Sequence, residues 1–326
     1  MPDVKIGCTS LVVCALKKVI CLMGPTACGK TDLAIQLTQQ LPADIVSVDS
    51  ALVYRTMDIG TAKPSLDALT IAPHQLINIC DPCESYSAGQ FCTDALREIN
   101  RIISKNRVPL LVGGTMLYFH KLLFGLADLP TANPVIREQL MIDAEKVGWL
   151  AMHERLEKID PIAAQKIKPQ DPQRIQRALE VFLITGKPIS QLQQEQQQQQ
   201  QSLLHDYDVI AIALIPQDRG WLHDNMAKRF ESMLQQGLID EVRALYERPD
   251  ITADLPSMRI VGYRQVWEYL EGKIDFETMK AKAIAATRQL AKRQLTWLRS
   301  WKNLIVYDPR DVDLVGKIKN IYQNRT

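Results

Sequence analysis

The sequence predicts an α/β fold in which a parallel sheet is covered by helices on both faces. The first observation is that short apolar runs alternate with stretches of helical spacing over roughly the first third of the chain. The second is that these runs are continuously apolar, which is typical of strands buried on both faces. The third is that several of them end at glycine or aspartate, where chains turn. Strands that alternate with helices in this way build a parallel sheet with right-handed connections.

Six apolar runs are predicted strands, and two stretches between the early ones have the spacing of amphipathic helices. The predicted strands are Val19–Met23, Ile45–Val48, His74–Ile79, Pro109–Val112, Val209–Ile215 and Leu304–Tyr307. The predicted helices are Thr31–Leu41, which stops before a proline that cannot continue it, and Ala88–Ser104.

The middle of the chain has a different pattern and predicts a helical insertion. No strand pattern occurs from about 130 to 201, where three charged amphipathic segments predict helices at Pro134–Val147, Leu150–Ile159 and Pro172–Thr185. Nine of the eleven residues from 191 to 201 are glutamine, which is typical of a solvated helix end or connector. We therefore expect a core made of residues 1–122 and 203–326, interrupted by an all-helical domain at 123–202.

Composition argues for a soluble cytoplasmic protein and excludes several classes. The 326 residues are 46% hydrophobic and 23% charged, which is ordinary for a globular protein, and the net charge of +2 indicates no bulk basicity. No apolar run reaches the ~18 residues that span a bilayer, and Leu11–Leu16 is too short for the core of a signal peptide. Seven cysteines spread through the chain indicate reduced thiols and not a disulfide framework.

A glycine-rich turn carries the first chemical signal, because it matches the pattern G-x-x-x-x-G-K-[ST] between a predicted strand and a predicted helix. Backbone N–H groups of such a loop and the helix N-terminus face a bound phosphate. Lys30 adds a positive charge, and the Thr31 hydroxyl can hold Mg²⁺. The predicted core is therefore similar to that of the P-loop NTPases. The residues predicted to bind phosphate are Gly24, Pro25, Thr26, Ala27, Cys28, Gly29, Lys30 and Thr31.

An aspartate at a strand end supplies a candidate general base. Asp49 follows the strand predicted to lie beside the phosphate loop, whereas the strand at 109–112 ends in glycines without an acid. A carboxylate at that edge of a sheet is well placed to accept a proton, although a turn cap is the simpler alternative. Two activities fit. In one, a kinase transfers the γ-phosphoryl group of ATP; in the other, the loop binds a leaving pyrophosphate and a carbon group is transferred.

Positive charge is concentrated near the C-terminus. The segment 259–302 holds ten Lys or Arg and four acids, so it carries 10 − 4 = +6 and the rest of the chain 2 − 6 = −4. Much of it falls on a predicted helix at Ala283–Trp301, where Arg288, Lys292 and Arg299 share one face near Trp297. A basic helix with aromatic residues suits an RNA backbone, and a solvated charged surface is the alternative.

Seven stretches together resemble the tRNA dimethylallyltransferase (tRNA isopentenyltransferase) family in its bacterial form. They are spread in order over nearly the whole chain, and those at 48–55 and 57–64 are highly specific. The stretches are Gly24–Thr31, Val48–Arg55, Met57–Pro64, Gly113–Tyr118, Gln173–Glu180, Ile260–Arg264 and Thr287–Gln294. Cys28 stands where the family usually has serine, at a position that works through its backbone N–H.

The resemblance implies an activity and its substrates. The donor is dimethylallyl diphosphate, the acceptor is N6 of the adenosine 3′ to the anticodon in tRNAs that read codons beginning with U, and pyrophosphate is released. Mg²⁺ is the expected metal, held at Thr31, and Asp49 is the expected base. A small-molecule kinase of nucleoside type is the alternative, but it needs no basic C-terminal helix. An RNA-binding protein with a degenerate loop is a third, disfavoured because Lys30, Thr31 and Asp49 occur together.

The resemblance also implies residue roles. Arg229 resembles a family arginine near the diphosphate, and Lys30, Thr31, Asp49 and Arg229 are the expected catalytic residues. The insertion is expected to be mobile and to close over the anticodon stem-loop, and the protein is expected to be a monomer. The expected tRNA contacts are Asp49, Ser50, Ala51, Leu52, Thr115, Arg137, Gln173, Arg174, Ile175, Gln176, Arg177, Arg259, Ile260, Val261, Gly262, Tyr263, Arg264, Thr287, Arg288, Gln289, Leu290, Ala291, Lys292, Arg293 and Gln294.

Overall fold

The computed structural model describes residues 17–125, 129–197 and 205–325. The apolar stretch at 11–16 and the end of the glutamine run, 198–201, lie outside the described residues. Among the described helices, none is long and apolar enough to cross a bilayer.

Six parallel strands form one sheet, which confirms the predicted fold class. Their order across the sheet is β3-β2-β4-β1-β5-β6. The central strand β1 is wholly buried from Val19 to Met23, which explains why its sequence is apolar without alternation. The strands are β1 (Lys17–Met23), β2 (Ala43–Val48), β3 (His74–Gln75), β4 (Val108–Gly113), β5 (Tyr207–Leu214) and β6 (Ile305–Tyr307).

Two details of the predicted sheet are wrong. β3 has two residues instead of six, because Leu76 and Asn78 have positive φ angles of 62° and 55°, which end an extended strand. The strand that ends at Asp49 does not lie beside the strand of the phosphate loop, because β4 pairs with both β1 and β2 and separates them. Asp49 must therefore reach the loop across the end of β4.

Helices cover the sheet and fill the middle of the chain. Helix α12 begins seven residues earlier than predicted, where the Asp275 side chain accepts the N–H of Thr278 and caps it. The helices are α1 (Lys30–Gln40), α2 (Leu66–Ile71), α3 (Ala88–Ser104), α4 (Met116–Phe124), α5 (Pro134–Ile159), α6 (Pro161–Lys166), α7 (Pro172–Thr185), α8 (Ile189–Gln197), α9 (Arg219–Gln235), α10 (Leu238–Tyr246), α11 (Tyr263–Leu270), α12 (Phe276–Ser300) and α13 (Leu314–Asn324).

The chain divides into two compact units. The first comprises residues 1–123 and 203–326, and the second comprises residues 124–202. Within the second unit, α5 is broken at Gly148, whose φ of 79° is left-handed, and this break separates the two helices predicted there. Its core packs α5 against α7 through buried Leu140, Leu156, Ile175 and Leu179.

Two of the apolar clusters in the described part of the first unit contain residues that lie next to its candidate site. One lies between the sheet and the helices α1, α9, α12 and α13, with Ile20, Leu37 and Ile318 among its buried members. The other joins the segment after β2 to α9, α10 and α11, and Met57 and Tyr263 are wholly buried in it. Because β1, β4 and β2 are parallel neighbours, the loops that follow these strands leave the same edge of the sheet.

Candidate active site

The phosphate loop joins β1 to α1 and has the backbone that its glycines allow. Gly29 precedes the helix with a left-handed φ of 84°, and Ala27 also has a positive φ of 60°. A Cβ at Gly24 would lie 2.8 Å from the Cys28 sulfur and 3.0 Å from the Leu214 carbonyl oxygen, so only glycine fits. The Cys28 side chain is buried at 1% exposure, which agrees with a backbone role at this position.

The end of β4 leaves room for Asp49 to face the phosphate loop. Gly113 has no side chain, and a Cβ there would overlap the carbonyl group of Val48. Asp49 follows directly, and one of its oxygens, Oδ1, accepts the N–H of Ala51 at 2.8 Å. A single cavity is lined by Gly113 and Gly114 together with the residues Lys30, Thr31, Asp49 and Arg229. The structure therefore brings together the four residues expected to be catalytic.

Lys30 folds back on its own loop. Its ammonium group donates to the carbonyl oxygen of Pro25 at 2.6 Å. It also donates to the Cys28 sulfur at 3.8 Å, so a bound anion would compete for the ammonium group with two neutral acceptors of the loop itself.

Arg229, on α9, is a cation with weak local partners. Its guanidinium donates to the Thr26 hydroxyl at 3.4 Å and to the Thr61 carbonyl oxygen at 3.5 Å. Burial lowers the pKa of Arg229 below its usual value, while the nearby charge of Asp49 acts in the opposite direction. A guanidinium that is removed from water and poorly satisfied favours the binding of an anion.

Gln294, on α12, connects the phosphate loop to the end of β4. Its side-chain oxygen accepts the N–H of Thr26 at 2.9 Å, and its amide nitrogen donates to the Gly114 carbonyl at 2.8 Å. The side chain is 9% exposed. Sequence analysis placed Gln294 among tRNA contacts; the structure gives its amide to the protein backbone and makes it a wall of the cavity.

The loop after β2 forms another wall and is held by a carboxylate that sequence analysis missed. Glu241, on α10, accepts the N–H groups of Asp58 at 2.7 Å, Ile59 at 2.8 Å and Gly60 at 3.1 Å. It also accepts the hydroxyl of Tyr263. Tyr263, expected to touch tRNA, is wholly buried, and its ring leaves no space for a Cβ at Gly60. Nothing in the sequence marks Glu241, since it sits in an ordinary amphipathic helix.

A second cavity adjoins the first on the side of Asp49. It is lined by many of the expected tRNA contacts, and Asp49, Gly114 and Gln294 belong to both cavities. Trp297, with 39% of its surface exposed, is a further aromatic wall. The Thr115 hydroxyl accepts the N–H of Ser50 at 3.0 Å and so joins two of the expected contacts. The expected tRNA contacts on this cavity are Asp49, Ser50, Ala51, Thr115, Arg259, Ile260, Val261, Leu290, Arg293 and Gln294.

A third cavity adjoins the phosphate loop on its other side. It is lined by Lys30, Thr31, Trp221, Lys228 and Arg229 among others. Lys30, Thr31 and Arg229 thus border both this space and the cavity of Asp49. Lys30 and Thr31, which were predicted to bind phosphate, therefore border both a cavity with three cations and one acid, Asp32, and the cavity of the candidate base.

In the second unit, a buried carboxylate holds two arginines that were expected to contact tRNA. Glu180 is wholly buried, accepts two hydrogen bonds from Arg137 at 2.9 and 3.1 Å, and accepts one from Arg177 at 2.7 Å. The N–H of Asn133 donates to it as well. Ile175 lies in the core of the unit, so within the motif at 173–177 its side chain is structural.

Comparison with known proteins matches the whole site region. Family models described as IPP transferase and isopentenyl transferase match residues 52–301 and 17–74. A tRNA dimethylallyltransferase of Coxiella burnetii (strain Dugway 5J108-111) is 54% identical over 300 residues, covering 92% of this chain and 95% of its own.

Solved structures are similar over the same span. The tRNA isopentenylpyrophosphate transferase of Bacillus halodurans is 36% identical with a TM-score of 0.67, covering 94% of this chain and 95% of its own. A eukaryotic dimethylallyltransferase acting on tRNA is 27% identical with a TM-score of 0.76, covering 94% of this chain and 78% of its own. With these matches over more than nine-tenths of its length, and with the phosphate loop and Asp49 in one cavity, the chain belongs to the tRNA dimethylallyltransferase (IPP transferase) family.

Proposed function

We propose that this protein transfers the dimethylallyl group of dimethylallyl diphosphate to N6 of the adenosine 3′ to the anticodon, in tRNAs that read codons beginning with U. The observation that carries the proposal is the single cavity that joins the phosphate loop, the Arg229 guanidinium and the Asp49 carboxylate. The names of the relatives, which are transferases that act on tRNA, support this reaction over the alternative of a small-molecule kinase.

The chemistry needs an acceptor for one proton and a site for one leaving group. The N6 nitrogen forms a bond to the allylic carbon, the carbon–oxygen bond to the diphosphate breaks, and pyrophosphate leaves. Asp49 accepts the N6 proton; its Oδ1 is oriented by the Ala51 N–H, and its Oδ2 accepts no hydrogen bond within the described residues. The phosphate loop, Lys30 and Arg229 bind the negative charge that develops on the diphosphate.

Mg²⁺ is part of the proposal, and the side chains fit it. Thr31 lines the same cavity as the phosphate loop, and Mg²⁺ commonly takes one or two protein oxygens and completes its shell with phosphate oxygens and water. Thr31 would hold the ion, which would supply further neutralisation of the leaving diphosphate.

The cavity of Thr115, Arg259 and Trp297 is the proposed path of the target adenosine. RNA loops are read through bases that leave their stack and rest on aromatic or guanidinium surfaces. Exposed Trp297, Arg259 and Arg293 supply such surfaces beside Asp49. Because its proposed substrate is tRNA, we expect the protein to act in the cytoplasm.

A transfer assay tests the proposal. The protein is incubated with radiolabelled dimethylallyl diphosphate, Mg²⁺ and an anticodon stem-loop that reads a codon beginning with U. We expect label in the RNA, and a loss of roughly 10²–10⁴-fold in rate for Asp49→Ala and Asp49→Asn. Asp44→Asn, at the opposite end of the same strand, is the matched control.

The outcomes separate the claims. Transfer by Asp49→Asn at the rate of the control would remove Asp49 as the base and leave the reaction standing. Phosphoryl transfer from ATP, with no label in any tRNA, would replace the proposed reaction with a kinase activity. Transfer that is unaffected by chelation of Mg²⁺ would contradict the role of the metal.

A further inference from the structure

A groove of about 320 Å³ lies between α9 and α12. Its floor is apolar and consists of Leu222, Ala291 and Leu295. These three residues are buried members of the core between the sheet and the helices α1, α9, α12 and α13. Its rim is basic, and no acidic residue lines it. The basic residues of the rim are Arg219, His223, Arg288, Lys292 and Arg299.

The groove is separate from the active site, although one helix borders both. The residues that α12 gives to the two cavities around Asp49 are Thr287, Leu290, Arg293, Gln294 and Trp297, and none of them lines the groove. At about 100° per residue, the arginine and lysine positions 288, 292 and 299 fall within ~40° of one another around the helix. Positions 287 and 294 lie more than ~100° away on the same projection.

The positive charges of this rim are not neutralised by the protein. Other cations near the C-terminus are paired: Lys280 with Glu231 and Lys282 with Glu268. By contrast, the side chains of Arg219, Arg288, Lys292 and Arg299 make no ion pair or hydrogen bond with any part of the chain that the structure describes. All four are exposed. A groove of this kind can release counterions when it binds a polyanion.

We propose that the groove binds phosphate groups of the tRNA backbone, apart from the nucleotide that enters the cavity of Asp49. The inference rests on the proposed tRNA substrate, and it adds Arg219 and Arg299 to the RNA-binding surface. Residues 288 to 299 span ~16 Å along the helix axis, which matches several consecutive phosphates of a strand and exceeds the length of one diphosphate. Guanidinium groups bind phosphate oxygens in pairs, and three of the four exposed cations are arginines.

The test compares two double variants of the full chain. Arg219→Ala/Arg299→Ala removes two charges from the groove, and the control Lys17→Ala/Lys105→Ala removes two exposed charges at the amino-terminal edge of the sheet. Binding of labelled tRNA and of its anticodon stem-loop is measured by fluorescence anisotropy from about 50 to 200 mM KCl. Thermal melting with and without pyrophosphate is measured in parallel.

We expect the groove variant to bind tRNA roughly tenfold more weakly at the lower salt concentration, with a salt slope smaller by about 1.4 to 1.8 than that of the native chain. The control should keep the native slope and affinity. An equal loss of tRNA affinity in both variants, or an unchanged tRNA affinity in the groove variant, would overturn the proposal. Loss of the stabilisation by pyrophosphate, with tRNA affinity unchanged, would overturn it too, because the groove would then be a site for a small anion.

The proposed reaction is tested separately, by measuring transfer of the radiolabelled dimethylallyl group to RNA by the native chain. If the native chain binds tRNA through the groove but transfers no label, the proposal for the groove is supported and the proposed reaction is contradicted. If the native chain transfers label and the groove variant keeps the native salt slope, the proposed reaction is supported and the proposal for the groove is contradicted.

Discussion

Individual side chains in this protein are used mainly to hold other groups in place. Glu180 is an example, since its carboxylate joins Arg137, Arg177 and the Asn133 N–H inside the second unit. Burial raises the pKa of Glu180, but these hydrogen bonds outweigh burial and the pKa is lowered below the usual 4.5. A depressed pKa means that the folded state favours the ionised form, so the carboxylate stabilises the fold above its unfolded pKa.

We predict that Glu180→Gln lowers the free energy of unfolding by about 1–3 kcal/mol at neutral pH, because two arginines lose their charged acceptor. The difference from the native chain should shrink as the pH falls below about 4.5 and through the lower folded-state pKa, where the native carboxyl also becomes neutral. Urea denaturation across this pH range measures it, with exposed Glu145→Gln in the same unit as control. A difference that stays constant with pH would contradict the electrostatic explanation.

The residues of the site were predictable where a local pattern identifies them. The phosphate loop and Asp49 could be found because one glycine-rich pattern and one acid at a strand end are short-range signals. Gln294 and Glu241 could not be assigned their roles, because both act on backbone groups more than 175 residues away in sequence. The burial of Tyr263 was not predicted either, because a motif residue can pack in the core as readily as it can contact a ligand.

At the level of elements, α10 positions the loop that follows β2. Glu241 holds three consecutive N–H groups of that loop, and the next residue, Thr61, accepts a hydrogen bond from Arg229. The position of the guanidinium in the cavity therefore depends on a helix that contributes no side chain to the cavity.

We predict that Glu241→Gln raises the KM for dimethylallyl diphosphate about tenfold and lowers kcat, since an amide nitrogen cannot accept these N–H groups. Tyr263→Phe removes only one donor and should have a smaller effect in the same direction. Steady-state kinetics below the melting temperature of all variants measure it, with Glu231→Gln on α9 as control. A fall in melting temperature with native KM and kcat would show that Glu241 stabilises the fold without positioning the site.

Among the elements, the buried strands and the helices α1, α3, α5, α7 and most of α12 followed from apolar periodicity, whereas α9, which is as long as α3, was not predicted. The end of the third strand could not be predicted. The residues that end it, Leu76 and Asn78, have left-handed φ angles but are not glycines, so the sequence does not mark the end of the strand. The order of strands was also beyond local patterns, since β4 enters between β1 and β2 only through tertiary pairing. This order changed the explanation of Asp49, which reaches the loop because β4 ends in glycine.

At the scale of the whole molecule, the first unit is assembled from both ends of the chain. β1 pairs on one side with β4, from the first part, and on the other side with β5, from the part after the second unit. The core between the sheet and the helices α1, α9, α12 and α13 likewise combines Leu37 of α1 with Ile318 of α13. Contacts so distant in sequence require long loops to close before they stabilise anything, which slows folding.

We predict that a fragment of residues 1–202 does not form a stable first unit, because β1 would keep β4 but lose β5 and would expose the apolar run Val19–Met23 as an edge strand. Size-exclusion chromatography and near-ultraviolet circular dichroism should show association and a loss of fixed aromatic packing. The full chain is the control. A monomeric fragment with native-like aromatic signals and a cooperative melt would refute the requirement for β5.

The bridge made by Gln294 has a thermodynamic consequence for how the two substrates influence each other. One amide group ties the Thr26 N–H of the phosphate loop to α12, the helix whose other residues line the cavity proposed for RNA. If RNA binding shifts this helix, the loop proposed to bind the diphosphate would shift with it, and the reverse would also hold. By linkage, the factor by which RNA changes the affinity for the donor equals the factor by which the donor changes the affinity for RNA. Replacing Gln294 would weaken both effects equally, even where each substrate still binds alone.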